Sequence, residues 1–395
     1  VLFFMCINRE VFMYSKKNIR IMYAMSLLQG MVFYGPIATL YRQSVGVTVF
    51  QITFIESVSL ALAILLEIPW GVVADKIGYK KSMIICSLLY FISKIVFYGA
   101  NGFTAFLIER IILSVVIAGL SGLDSSILYL SAPPQQSQKV FSIYNNLGTT
   151  GLIFAAGVYS IFIRDHYREA AFLTMISYAI AFFLSLGLDE VKDQDESNSS
   201  FSLNDFRDCF QEFLKHKAFL LFLIAIALFN ETHQTITTFL NQLQFIAGGL
   251  NNQQIGYIYI VTTLCGLLGL FSTYLTNKLG ERRLIVILLI AMFIACSALT
   301  ITYIPIISIV AIVGMRISFS LLQPLQMKIQ NQQIETTNRA TLLSLNAVMM
   351  DSVAIITNLI FGRLADFHLS YAMMLGVIFS FLSIICYTLW LRYQK

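Results

Sequence analysis

The amino-acid sequence predicts an all-α integral membrane protein of twelve transmembrane helices in two six-helix halves. Three observations carry that prediction: charge is scarce, apolar stretches of membrane length recur, and the second half echoes the first. Of 395 residues, 57% are hydrophobic and 12% are charged, where a soluble domain carries about a quarter charged. Mean hydropathy is +0.76. A large soluble core does not thin the charge so far along a whole chain, whereas lipid gives that much apolar surface a place to face.

About 20 apolar residues cross the hydrocarbon core. Cutting at charged or turn-rich breaks gives spans near 19–42, 51–75, 82–100, 103–129, 139–163 and 168–187. A second set follows near 218–246, 253–277, 284–303, 305–328, 341–362 and 371–392. The apolar stretch at 1–7 is too short to span and has no basic region before it, so no cleavable signal peptide is expected.

Basic residues set the orientation. The clusters Lys16/Lys17/Arg20, Lys76/Lys80/Lys81, Lys215/Lys217 and Lys278/Arg282/Arg283 fall on one side of the alternating spans. The other side holds Arg42, Arg164, Arg168 and Arg363. Both termini are therefore expected in the cytoplasm, with the chain in the cytoplasmic membrane. The formal charge of +5 reflects this inner rim and points to no nucleic-acid partner. The six cysteines and four histidines are scattered, with no CxxC pair. No metal or other cofactor is indicated.

The internal echo has three parts. Gly46-Val47-Thr48-Val49-Phe50-Gln51-Ile52 and Gly249-Leu250-Asn251-Asn252-Gln253-Gln254-Ile255 open the second and eighth helices, at an offset of 203. Asp75-Lys76-Ile77-Gly78 and Asn277-Lys278-Leu279-Gly280 close them, at an offset of 202. Arg110-Ile111-Ile112-Leu113-Ser114 and Arg316-Ile317-Ser318-Phe319-Ser320 lie on the fourth and tenth, at an offset of 206. Six spans per half make the repeat parallel, about an axis along the membrane normal. The expected units are residues 1–188, a cytoplasmic linker at 189–217, and residues 218–395. The linker begins acidic and Ser-rich, then offers Phe206, Phe210, Phe213 and Leu214 on one face of a short helix suited to the membrane surface.

The run Gly71-Val72-Val73-Ala74-Asp75-Lys76-Ile77-Gly78-Tyr79-Lys80-Lys81 resembles the signature loop between helices 2 and 3 of the major facilitator superfamily (MFS). Glu67-Ile68-Pro69-Trp70 resembles the Glu-Ile-Pro-Thr lead-in of a bacterial drug-efflux subset, with Trp in place of Thr. Arg110 matches the embedded arginine of that family's helix 4, and Ser121-Gly122-Leu123-Asp124 its inner end. Arg339-Ala340-Thr341 and Gly362-Arg363-Leu364-Ala365-Asp366 are similar to the ends of its helix 11. The resemblance implies the MFS fold, alternating access and a small-molecule substrate. The exporters' Gly-Pro signature on helix 5 is missing: Gly148, Gly151 and Gly157 are present without a proline.

Physics gives the loop a role beside the resemblance. Asp75 can face the positive end of a neighbouring helix. Lys80 and Lys81 can pair with Asp124, while Gly71 and Gly78 allow close approach and a tight turn. Such contacts form a conformational latch, the alternative being topogenic charge alone.

Ionisable residues at membrane depth are functional candidates by default. Glu231, near the middle of the seventh span with His233 beside it, and Asp351 in the eleventh are candidates for proton coupling, with structural ion pairing as the alternative. Arg110 and Arg316 either bind an anionic group or act as fixed structural charges. Glu67 lies about 12 Å along the helix from Asp75, nearer the latch than the centre. Glu56 and Glu109 read as solvated near the outer face, and Lys94 as snorkelling. The function expected is secondary active transport by a monomer in the lipid bilayer, with protons as the coupling ion. Efflux of an amphiphile is the leading reading, suggested by the efflux-subset resemblance and by aromatic-rich helices whose cavities suit such compounds when Met-containing. Uptake of a sugar or organic anion by proton symport is the second. A transporter-like sensor or membrane enzyme is the third, although no nucleophile set, HExxH or Walker loop appears.

Overall fold

The computed structural model describes residues 15–133, 136–191, 217–332 and 339–393. Within them, twelve helices are long and apolar enough to cross a membrane. The first six are α1 (Lys16–Ser44), α2 (Val49–Ile77), α3 (Tyr79–Gly99), α4 (Phe103–Ser131), α5 (Ser137–Ile163) and α6 (Tyr167–Ser185). The last six are α7 (Ala218–Ala247), α8 (Asn252–Leu279), α9 (Glu281–Ile301), α10 (Pro305–Gln332), α11 (Arg339–Phe367) and α12 (Leu369–Tyr393). Every span expected from the sequence is found. The largest differences fall at the C-terminal ends of α10 and α11, where apolar character gives out before the helical hydrogen bonding does. Of the linker, Phe206, Phe210, Phe213 and Leu214 lie outside the described residues.

The glycines of the internal echo share a backbone conformation. Gly46 and Gly249 have φ +83° and +84°, and Gly78 and Gly280 have φ +91° and +83°. Each stands where the chain reverses between consecutive helices, in the left-handed region that L side chains adopt only at a cost. The opening of α8 is fixed further by a capping box, in which Asn251 accepts from the Gln254 N–H and the Gln254 side chain accepts from the Asn251 N–H.

Small residues set the closest packing. A Cβ on Gly30 of α1 would collide with the Gly148 carbonyl of α5, and one on Gly151 with the Leu27 carbonyl. Two of the three helix-5 glycines thus let backbones approach, as small residues do at membrane helix crossings. Among the described residues, four spans carry a 3-10 or π segment: α1 a 3-10 turn at Gly35–Ile37, α5 a π turn at Tyr159–Ile163, α7 a wide π turn at Thr235–Leu240, and α8 a 3-10 segment at Gly266–Phe271.

With twelve spans, the start of α1 and the end of α12 fall at one end of the bundle; the opposite end is called distal here. Among the described residues, every side-chain hydrogen bond between the first six and the last six helices falls in the distal half. Gln242 of α7 accepts the Thr39 and Leu40 N–H groups, freed by the break in α1, at 2.9 and 3.3 Å. Asp366 of α11 accepts the Val49 and Phe50 N–H groups at the start of α2. Asn252 of α8 donates to Asp165 at 2.8 Å and to the Tyr167 hydroxyl at 2.9 Å. Ser57 reaches the Ile355 carbonyl at 3.1 Å. Close approach reinforces the seam, since a Cβ on Gly362 would meet Thr53 and one on Gly256 would meet Ser160. The distal end is closed.

Candidate functional site

Beneath this closed end lies a cavity of about 410 Å³ between the two sets of helices. The irregular segments of α1 and α7 contribute to it through Gly35 and Pro36 and through Thr237, Thr238 and Phe239. Wide or broken turns expose backbone groups and displace side chains, and they recur at functional sites. The wall mixes apolar side chains, among them Ile52, Ile55, Leu113 and Ile258, with a set of polar ones. Gln234, Thr237, Asn241 and Gln242 come from α7, and Thr262 and Thr263 from α8. Among the described residues, the aromatic ones lining it are Tyr34, Phe239, Phe245 and Tyr259, and none is methionine.

Charge on the wall is concentrated on the first six helices. Arg110 and Glu56, both lining the cavity, form an ion pair between α4 and α2. Glu109, 2% exposed, pairs with Lys94, 4% exposed, at 3.3 Å. The Lys94 ammonium also donates to the Tyr34 hydroxyl at 3.1 Å, and the second Glu109 oxygen, Oε2, has no hydrogen-bond partner. The expectation that Glu109 is solvated and that Lys94 snorkels is therefore overturned. Distal closure seals that depth from water, so the two charges pair with each other. Arg42 places its guanidinium 5.5 Å from the ring centroids of both Phe97 and Phe106. From the opposite wall, Arg316 lies 5.9 Å from the Phe319 centroid and makes no ion pair among the described residues.

Of the residues singled out from the sequence, Arg110 and Arg316 line the cavity, whereas Glu231, His233 and Asp351 do not. Glu231 is partly buried and receives a long hydrogen bond, 3.5 Å, from Asn358 Nδ2. It lies within electrostatic reach of Glu56 and Asp351. His233 is buried and stacked on Phe319 at 4.0 Å, with Nε2 3.3 Å from the hydroxyl of the cavity residue Thr237. Asp351 is partly buried on α11.

The latch residues lie at the end that carries the termini. Of Glu67, Gly71 and Asp75 the helical backbone is placed, and their side chains lie outside the described residues. The N–H of Lys80 donates to Glu190 Oε1 at 3.1 Å, so a carboxylate in the segment that follows α6 caps α3. Asp124 accepts the Ser125 N–H at 2.7 Å and the Tyr144 hydroxyl at 3.3 Å rather than pairing with Lys80 or Lys81. Beside this, Lys17 pairs with Asp189 at 2.8 Å. At the same end of the last six helices, Lys328 pairs with Glu281 at 2.5 Å.

Sequence reasoning gave no site role to Arg42, Tyr34, Lys94, Glu109, Gln242 or Asp366. The signal for the first four was two cations, an acid and a tyrosine converging toward the distal ends of α1, α3 and α4. Asp366 was quoted as part of the α11 segment without a partner.

Comparison with known proteins places this geometry. The model of the Major Facilitator Superfamily matches residues 21–357. An uncharacterized MFS-type transporter of Methanocaldococcus jannaschii is 29% identical over 140 residues, which span 34% of this chain and 36% of that protein. Among solved structures, a variant of the nucleoside transporter NupG superposes with a TM-score of 0.81 at 16% identity, covering 96% of this chain and 100% of that one. A D-xylose–proton symporter gives 0.71 at 14% identity, over 94% and 97%. A bacterial homolog of the human lysosomal transporter Spinster gives 0.70 at 14%, over 95% and 96%.

Proposed function

The chain belongs to the major facilitator superfamily, and from that premise we propose that it carries a small, polar, hydroxylated solute across the cytoplasmic membrane by proton symport. The observation that supports this reading is the cavity wall. Carboxamides, hydroxyls and paired charges suit a solute that exchanges water hydrogen bonds for protein ones; buried polar groups left without partners would penalise an amphiphile. The fold neighbours named for nucleoside and xylose transport agree with a solute of this kind.

With both termini in the cytoplasm, as the basic residues suggest, the distal end is the outer one. The cavity is then closed to the outside and the state is inward-facing. Glu231, without an ion pair among the described residues, is the proposed proton carrier. The chain works as a monomer in this reading. The test is transport into vesicles of purified protein under an imposed proton gradient, using labelled pentoses, nucleosides and their acid derivatives beside ethidium as an amphiphile. Gradient-stimulated accumulation of one of the hydroxylated solutes is expected. Movement of ethidium alone would return the function to efflux.

A further inference from the structure

We propose that the solute is an organic anion and that Arg316 binds its anionic group. This narrows the polar-solute reading above and rests on it.

The argument starts from charge around the cavity. Arg42, Arg110 and Arg316 line it, and Lys94 stands directly behind Glu109 and Tyr34. The acids on the wall are Glu56 and Glu109. Each is already engaged, Glu56 with Arg110 and Glu109 with Lys94. Arg42 and Arg316 are left over. Arg42 is partly balanced, since Glu109 and Glu56 lie within its electrostatic reach and two aromatic faces receive it. Arg316 has no acid in reach; the groups that feel its charge are Tyr259 and His233.

A guanidinium does not shed its charge in a protein, and an uncompensated charge at this depth is expensive. A fold that keeps one here builds around it. Position 266 is glycine, and a Cβ there would come within 2.8 Å of Arg316 Nη2, so the 3-10 segment of α8 makes room for the side chain. The Phe319 ring supports it from its own helix. The neighbouring Thr262 and Thr263 hydroxyls donate to the Ile258 and Tyr259 carbonyls, which leaves their oxygens as acceptors toward the cavity. An anionic group fits the planar fork of Arg316 as a bidentate partner, while solute hydroxyls donate to the two threonines. Carboxylate and phosphate monoester share this chemistry.

Thermal unfolding of the purified protein tests the proposal with glucose, gluconate, glucose 6-phosphate, uridine, uridine monophosphate and inorganic phosphate as probes. An acidic member is expected to raise Tm where its neutral parent at the same concentration does not. Which acid does so separates carboxylate from phosphate. Arg316→Gln should weaken that ligand at least about ten-fold. Arg316→Lys, which keeps the charge and guards against a folding defect, should fall between. Stabilisation by glucose or uridine as strong as by their acids overturns the anion proposal and leaves the polar-solute reading standing. Inorganic phosphate binding as tightly as the organic phosphates overturns it as well, as does wild-type affinity in both Arg316 variants. Stabilisation by none of the six overturns both readings.

Discussion

Asp366 caps a helix that belongs to the other half of the molecule: its carboxylate accepts the N–H of Val49 at 2.8 Å and that of Phe50 at 3.2 Å. A carboxylate at a helix N-terminus satisfies orphan donors and meets the positive end of the macrodipole. Because the cap spans the seam, it exists only while the distal end is closed.

Replacing Asp366 with Ala should therefore shift the conformational balance rather than unfold the protein. Loss of such a cap costs about 0.5–2 kcal/mol, a roughly two- to thirty-fold change in the ratio of states. A cysteine placed at the cavity residue Ala38 should label faster with a membrane-impermeant maleimide from the distal side in the Asp366→Ala background. Equal labelling rates would remove the cap from the gate.

The buried pair Lys94–Glu109 predicts a double-mutant signature. Glu109→Gln leaves the buried Lys94 ammonium with the Tyr34 hydroxyl and tyrosine rings but no counter-ion, and breaking such a pair costs about 3–5 kcal/mol. Folded yield and Tm should both drop. Adding Lys94→Met should restore much of the loss, because removing both charges removes the desolvation cost as well. If the double variant is as unstable as the sum of the singles, the pair is not the reason for the loss.

Arg110 meets Glu56 across α4 and α2, a contact that supports the reading of a fixed structural charge over that of an anion-binding one. Arg110→Lys replaces a planar fork by a point charge. Lower folded yield with unchanged solute affinity is expected. A large loss of affinity at normal yield would put Arg110 in the binding site after all.

Gly78 and Gly280 share a left-handed backbone and differ in surroundings. A Cβ at Gly280 meets nothing within 4 Å, while one at Gly78 comes within 3.0 Å of Glu190 Oε2. Alanine at either position carries about 1–2 kcal/mol of backbone strain. Gly78→Ala should cost more than Gly280→Ala, measured as Tm, and the two should converge in a Glu190→Ala background. Equal costs in the wild-type background would show that Glu190 simply moves aside.

Most of the fold was readable because lipid enforces it: a span must be apolar, of fixed length and internally hydrogen-bonded. The connections were readable because Gly46, Gly78, Gly249 and Gly280 recur at nearly constant offsets and only glycine takes that backbone freely. Pairing of the charges was not readable. Depth along a span suggested that Glu109 meets water, but its solvation depends on which end of the cavity is shut. That property belongs to the packing of Asp366, Gln242 and Asn252 against the opposite half, and no periodicity in one helix encodes it. Arg316 was legible as a candidate from its place in the repeat. Its lack of an acid partner was not.

Glu231 offers the test of energy coupling. It sits on α7 one turn before the π segment Thr235–Leu240, whose residues Thr237, Thr238 and Phe239 line the cavity. Its hydrogen-bond partner Asn358 also accepts from Thr235 at 2.8 Å, so the carboxyl is tied to the same irregular turn that shapes the binding wall. No basic side chain among the described residues neutralises it. The charges in its reach are those of Glu56 and Asp351. A carboxyl so placed can report its protonation to the cavity through the α7 turn, as coupling requires. Glu231→Gln keeps the shape and the hydrogen bonds of the neutral acid and removes the exchangeable proton. Solute accumulation driven by a proton gradient should fall to the equilibrium level, while counterflow exchange in vesicles without a gradient should continue at near the wild-type rate. Asp351→Asn should behave alike if the two acids share the proton, and should be mild if Asp351 serves its own helix contacts. The two measurements belong on the same preparation, because a variant that loses both accumulation and counterflow has lost binding or folding instead. Wild-type accumulation in both carboxamide variants would move the coupling proton elsewhere, with the unpartnered Glu109 oxygen on the cavity wall as the next place to look.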